Sequence, residues 1–203
     1  MTEATSLARE CNAVEPGQNE GEFSELIQLV ADLKPKNVME IGTEGGCTFL
    51  AWCRLAAPEG LKISVDWQNS GVGRGRWLTP ELRDPRDERL KSWAPNVVLI
   101  EGDSHTAETK QQVVDALGCE LLDFLFIDGD HSVGGVQKDF DDYGPLVRPG
   151  GLVAFHDIKH CAYHRQAGCY VDVFWNRLKV NHPRWQEFRS NEHVWGGIGV
   201  LEV

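Results

Sequence analysis

Apolar positions along this chain follow two alternating rhythms. In "EGEFSELIQLVADLK", Phe23, Leu26, Ile27, Val30 and Leu33 recur at helical spacing. Pro35 follows, and "NVMEIG" then reads as a short buried strand that stops at Gly42. The exchange repeats as helix "CTFLAWCRLAA", ended by Pro58-Glu59-Gly60, and strand "LKISVDW". It resumes with strand "VVLIEGD", helix "TAETKQQVVDAL", strand "LLDFLFIDGD", helix "GGVQKDFDDYGPLV", the turn "RPGG" and strand "LVAFHD". "YVDVFWNRLK" and "WGGIGVLEV" predict a last helix and closing strands. Strands alternating with helices predict an α/β fold, a doubly wound and mostly parallel sheet covered on both faces. Its crossovers should be right-handed.

Two segments stand outside this rhythm. Residues 1–22 are polar and read as an N-terminal extension. Residues 68–95 hold Gly71, Gly73, Gly75, five arginines (Arg74, Arg76, Arg83, Arg86, Arg89), Trp77 and Trp93. A connection this long is usually functional or mobile. Glycine hinges and two tryptophans suit a lid over a substrate; the bland alternative is a solvated loop, its arginines balanced by Glu81, Asp84, Asp87 and Glu88.

Composition narrows the picture without changing it. At 203 residues, 41% hydrophobic and 25% charged, the chain is expected to be a single globular domain over 1–203. No apolar run approaches the ~20 residues of a bilayer span, and the acidic N-terminus lacks the form of a signal peptide. A cytoplasmic protein without membrane partners is the expectation. Six scattered cysteines with no C-x-x-C pair read as reduced thiols, several of them buried. The net charge of −11 opposes nucleic-acid binding, which depends on neutralising phosphates.

Candidate chemistry collects at the strand ends. The strands lead into Glu40 and "GTEGG", into Asp66, into Gly102-Asp103-Ser104, into Asp128, Asp130 and His131, and into His156-Asp157. Each alone is an ordinary turn; five together outline a crevice along the carboxyl edge of an open sheet, where such folds bind ligands. "EIGTEGGCT" is a glycine turn entering a helix, whose free N–H groups suit an anion. It is neither G-x-G-x-x-G nor a phosphate loop ending in G-K-[ST]. Asp66, 24 positions after Gly42, stands where an acid can accept two ribose hydroxyls. With Asp103, these features point to an adenosine-containing ligand.

"VMEIGTEGGCTF", "SVDW", "EGDS", "FLFIDGDHS" and "PLVRPGGLVAFHD" occur in the order found in class I S-adenosylmethionine-dependent methyltransferases, which residues 23–158 resemble. Within them the chain looks most like small-molecule O-methyltransferases of the catechol, macrolide-sugar and cephalosporin hydroxylase-like group. The resemblance implies a Rossmann-like methyltransferase fold with S-adenosylmethionine as cofactor. Glu40, Gly42 and Thr48 would border its methionine part, with Thr43 and Gly45 also among the cofactor-binding residues, Asp66 its ribose, and Trp67, Asp103 and Ser104 its adenine. Related enzymes often dimerise through N-terminal helices, so a homodimer is compatible, although "FSELIQLVADL" suits the core better.

In the catechol and macrolide-sugar enzymes, the acid ending the fourth strand binds a divalent metal and a base lies three residues later. Asp128 and His131 have that spacing. Two further ligands end the fifth strand, where this chain has His156 and Asp157. His156 departs from the oxygen-rich pattern that suits Mg²⁺ and shifts the preference toward other divalent metals. The implied activity is methyl transfer to a hydroxyl of a sugar, phenol or natural product, with His131 as general base.

Blander roles stand beside these. His131 is also placed to cap the next helix, Asp128 to hydrogen-bond backbone or the cofactor's amino group, and His156 to orient Asp157. His156, His160 and His164, with Cys161 and Cys169, tempt a zinc reading that no C-x-x-C or H-E-x-x-H frame supports. His160, Tyr163 and His164 suit the mouth of a substrate pocket. The competing functions are a metal-independent methyltransferase, a non-catalytic cofactor-binding module and a nucleic-acid methyltransferase. An NAD oxidoreductase fits poorly without G-x-G-x-x-G or Tyr-x-x-x-Lys.

Overall fold

The computed structural model describes residues 2–67 and 80–203. Two helices open the chain, α1 (Glu3–Val14) and α2 (Glu20–Leu33). There follow β1 (Val38–Ile41), α3 (Cys47–Leu55), β2 (Lys62–Asp66), α4 (Pro80–Ser92), β3 (Val97–Glu101), α5 (Ala107–Leu117), β4 (Leu122–Ile127) and α6 (Val133–Tyr143). The chain closes with β5 (Val147–Phe155), α7 (Ala162–Gln166), α8 (Val171–Leu178), β6 (Trp185–Phe188) and β7 (Ile198–Glu202).

The strands form one sheet in the order β3-β2-β1-β4-β5-β7-β6. The first five are parallel, β7 runs antiparallel beside β5, and β6 pairs antiparallel with β7 and so shares the direction of the first five. The chain winds outward from β1 to β3, then crosses back to lay β4 on the other side of β1. That reversal makes β1 and β4 the switch point, beyond whose carboxyl ends ligands bind in such sheets. Register sets what meets there. Ile41 pairs with Val65 and Ile127, and Ile127 with Phe155, so Gly42, Asp66, Asp128 and His156 emerge level at one edge. The ladder runs one residue further: Gly42 N–H donates to Val65, Asp128 to Ile41 and His156 to Ile127.

Alternation along β4 from Phe124 onward sorts two cores, with Leu122 joining the second across a register shift before Phe124. Phe124 and Phe126 face α1, α2 and α3, while Leu122, Leu125 and Ile127 join Val113, Val136 and Trp175 on the other face. Trp52 of α3 anchors the first core, its ring centroid 4.7 Å from that of Phe124, 5.5 Å from Phe126 and 5.9 Å from Phe23. α2 is core, as its pattern implied: Phe23, Leu26, Ile27 and Val30 are all buried. Asn19 caps its start by accepting from the N–H groups of Gly21 and Glu22, and Lys34 ends it in the left-handed region before Pro35.

Residues 3–14 differ from the reading of 1–22 as a polar extension. They form α1, whose Ala4, Ala8 and Cys11 are buried against α2 and α3. Small side chains there let the helix approach closely while showing only a faint apolar stripe. Of the proposed lid, residues 68–79, with Gly71, Gly73, Gly75, Arg74, Arg76 and Trp77, lie outside the described residues. The remainder is α4 and its exit turn, a regular element in place of an open connection. All six cysteines are free, and Cys11, Cys47, Cys53 and Cys169 are buried. Among the described residues no helix is long and apolar enough to cross a membrane.

Candidate active site

The glycine turn after β1 is shaped first by its own neighbours. Gly42 has φ +87°, and a Cβ there would lie 2.1 Å from the carbonyl oxygen of Asp128. Only glycine lets the ends of β1 and β4 come this close. Gly45 is pressed by the Glu15 carboxylate, and Gly46 (φ +93°) by Leu90 and Trp93. Thus the glycines that the sequence offered for ligand approach also serve contacts within the chain. Thr43 and Thr48 are buried, with the Thr43 hydroxyl 2.7 Å from that of Ser64.

Glu40 lies beneath this turn, wholly buried, accepting the indole N–H of Trp52 at 2.5 Å. Burial pushes its carboxyl up to about 8, against the opposing pull of Thr48, Trp52 and Thr43.

Asp66 is already engaged. Arg86 of α4, itself buried, donates from Nη2 to Asp66 Oδ2 at 2.7 Å and from Nε to the Glu44 carbonyl at 2.6 Å. Arg89 donates to the Gly45 carbonyl at 2.9 Å. Burial raises the Asp66 carboxyl above its usual range, and Arg86 opposes that rise. α4 is thus fastened across the turn and the ribose candidate together. A cavity of ≈ 260 Å³ beside it is lined by Asp66, Arg83, Arg86, Asp87 and Glu101 among others. Sequence spacing gave no sign of this clasp, because one arginine among five in a charged stretch carries no distinguishing pattern.

Trp67 is 46% exposed at the same edge, as an aromatic face for a ligand would be. Asp103 accepts the His105 N–H at 2.9 Å. Ser104 is buried and donates its hydroxyl to Asp139 at 2.6 Å, while Tyr143 donates to its carbonyl at 2.8 Å. Its hydroxyl is committed to the protein, so Trp67 and Asp103 are the better placed of the three adenine candidates.

The ends of β4 and β5 hold the densest cluster. His131 Nε2 lies 3.0 Å from Asp128 Oδ1 and 3.9 Å from Asp157 Oδ2. His156 Nδ1 lies 3.4 Å from Asp128 Oδ1 and 3.3 Å from Asp157 Oδ1. His164 Nε2 approaches Asp157 Oδ1 at 3.1 Å, while its Nδ1 lies 2.7 Å from the Lys159 carbonyl oxygen. The helix-cap role for His131 falls away: Ser132 caps α6, accepting from the Gly135 N–H at 3.0 Å. Asp157 sits at φ +60°, uncommon for a residue with a side chain. Such outliers cluster at functional sites.

Charge is concentrated here. Burial opposes protonation of His156, but Asp128 and Asp157 overcome it and hold the imidazole well above its ordinary range. Burial likewise opposes ionisation of Asp157, yet His156, with His164 and His131 behind it, keeps the carboxyl well below its usual range. His131 is raised too: burial works against it and Asp128 prevails. His131 is the most exposed of the cluster, with 36% of its side chain open against 6% for His156 and 3% for His164.

Among the described residues, two triplets bring potential metal-ligating atoms within 4.8 Å of one another: Asp128–His156–Asp157 and His131–Asp157–Cys169. The run of histidines at fours does not come together as a zinc frame. His160 is turned outward to Asp172 and Arg165, and the Cys161 sulfur accepts the His164 N–H. Cys169 instead joins His131. Tyr163 is exposed, as a pocket mouth requires, whereas His164 is buried behind Asp157.

A family model described as a methyltransferase domain matches residues 39–158. The "Uncharacterized protein y4gI" of Sinorhizobium fredii (strain NBRC 101917 / NGR234) is 26% identical over 159 residues, 76% of this chain and 16% of that protein. The chain therefore spans about one sixth of the length of that curated relative. The O-methyltransferase TomG of Streptomyces achromogenes, involved in tomaymycin synthesis and solved with S-adenosylmethionine, superposes with a TM-score of 0.62 at 18% identity. The match covers 100% of this chain and 90% of that one. An O-methyltransferase of Bacillus cereus, solved with S-adenosylhomocysteine, gives 0.62 at 18% identity over 100% of this chain and 92% of that one. The N-methyltransferase NodS of Bradyrhizobium japonicum WM9 gives 0.60 at 14% identity, covering 98% and 97%. At such identities these likenesses speak for the fold, and the fold serves both oxygen and nitrogen acceptors. With more than half its length matched, the chain belongs to the methyltransferase-domain family.

Proposed function

We propose that this chain moves the methyl group of S-adenosylmethionine to a hydroxyl of a small molecule, with His131 as general base. The observation that carries this reading is the placement of His131: open to the crevice, 3.0 Å from Asp128, and relieved of capping by Ser132. The methionine carboxylate of the cofactor suits the N-terminus of α3, and Asp66 suits its ribose once Arg86 yields. The acceptor hydroxyl would give its proton to the His131 ring nitrogen turned away from Asp128, which holds Nε2, and its oxygen would take the sulfonium methyl in line. Bound S-adenosylmethionine would supply the electrophilic methyl carbon and, as the neutral thioether, the leaving group. Alignment of oxygen, carbon and sulfur is the larger part of the chain's contribution.

Two carboxylates and an imidazole converge at Asp128, His156 and Asp157, a donor set that fits a divalent cation. Such a cation supplies a positive charge that lowers the pKa of a hydroxyl held beside it. A second reading has its own support: His156, set between Asp128 and Asp157, is placed to balance their charge without a cation. Net charge and chemistry favour a small acceptor over a nucleic acid.

Transfer of an isotopic methyl group to a panel of sugars, phenols and hydroxylated natural products tests the reading. His131→Ala should lose rate by about 10²–10⁴-fold while still binding the cofactor. Chelator should abolish transfer but leave S-adenosylmethionine bound. Full activity in chelator favours the cation-free reading, and a normal rate in His131→Ala removes the base.

A further inference from the structure

A cation at the ends of β4 and β5 meets donors unlike those of a magnesium site; this inference rests on the divalent-cation reading above. Asp128 and Asp157 contribute carboxylate oxygens, but the third member of their triplet is the His156 ring. That nitrogen is built in. The ring is 6% exposed, its centroid lies 6.2 Å from that of Phe126, and the backbone N–H of His156 donates to the Ile127 carbonyl at 3.2 Å, which fixes the residue in the strand ladder. The second triplet shares Asp157 and adds the His131 nitrogen and the Cys169 sulfur. Behind Asp157, His164 Nε2 at 3.1 Å, with its Nδ1 against the Lys159 carbonyl, orients the carboxylate as partners behind metal ligands do.

Magnesium demands near-octahedral oxygen ligation and gives up water reluctantly. Imidazole and thiolate favour transition ions, with affinity rising along the first row toward nickel and copper and remaining high at zinc. We propose that this cluster is a site for a late first-row transition cation of the zinc, cobalt or nickel kind, with His156 as the residue that sets its preference over magnesium.

Calorimetric titration of the metal-stripped full chain with Zn²⁺, Co²⁺ and Mg²⁺, each alone, is the test. One Zn²⁺ or Co²⁺ per chain should bind at least about tenfold more tightly than Mg²⁺. His156→Glu should shrink or reverse that preference, because it restores an oxygen donor. Asp157→Asn should weaken every ion, and it serves as the second variant if circular dichroism shows His156→Glu unfolded. Mg²⁺ binding as tightly as Zn²⁺ overturns the preference while leaving the divalent-cation reading in place. Failure of any ion to bind overturns that reading and this inference with it. An unchanged preference in folded His156→Glu puts the ion elsewhere and overturns the assignment.

Discussion

Asp66 has two claimants, the ribose it is proposed to hold and the Arg86 side chain it already accepts at 2.7 Å. A carboxylate that hydrogen-bonds two hydroxyls is worth about 1.5–3 kcal/mol per charged hydrogen bond. Asp66→Ala should therefore weaken S-adenosylmethionine binding by at least about an order of magnitude. Arg86→Leu separates the claimants. If arginine and ribose compete, it should bind cofactor no more weakly than the parent; weaker binding would make Arg86 a cofactor support. Calorimetry on the three proteins reads both outcomes. Gly42 yields a simpler expectation. A methyl group there meets the Asp128 carbonyl oxygen at 2.1 Å, so Gly42→Ala should lower the melting temperature and disturb the β4 end as well as the turn. A variant as stable as the parent would show that the two strand ends are free to part.

At the scale of elements, the helices and strands that carry strong period were legible and the weakly patterned ones were not. β1, β2, β4 and β5 read as apolar runs because the sheet is covered on both faces. α1 was missed since alanine and cysteine, which are what the close packing requires, make a poor apolar stripe. β6 was missed because Trp185–Phe188 is an edge strand of four residues with Gln186 and Glu187 at its centre. Glu187 is nonetheless what fastens that edge: it accepts from Trp175 Nε1 at 2.7 Å, from Lys179 at 2.6 Å and from Arg189 at 2.9 Å. Burial opposes its ionisation, yet Arg189, Lys179 and Trp175 bring its carboxyl down to about 2. A carboxyl lowered in the folded state stabilises above its unfolded pKa, about 4.3 for glutamate. That contribution is lost as pH falls from there toward 2. Glu187→Gln should accordingly be less stable than the parent at neutral pH, and the difference should shrink on acidification below pH ~4. Denaturant titrations across that range check this; a gap that stays constant with pH would mean that the carboxylate charge is not what holds β6.

For the molecule as a whole, strand order and register do the work of assembly. Acids and histidines separated by as many as 91 positions, from Asp66 to Asp157, reach one edge because Val65, Ile41, Ile127 and Phe155 are level in the sheet. That convergence was readable from where each apolar run stopped. What was not readable is anything set by packing between distant elements: Arg86 on Asp66, Ser104 turned to Asp139, Cys169 beside His131, and His164 behind Asp157. Local patterns report periodicity and turns; they carry no information on which face of a loop meets which helix. The central claim is that this edge holds S-adenosylmethionine, and its most direct test is calorimetric titration of the purified chain with S-adenosylmethionine and, separately, with NAD. One S-adenosylmethionine should bind per chain, displaced by S-adenosylhomocysteine and weakened by Asp66→Ala, while NAD should give no heat of binding. A folded chain that binds NAD and ignores S-adenosylmethionine would contradict it.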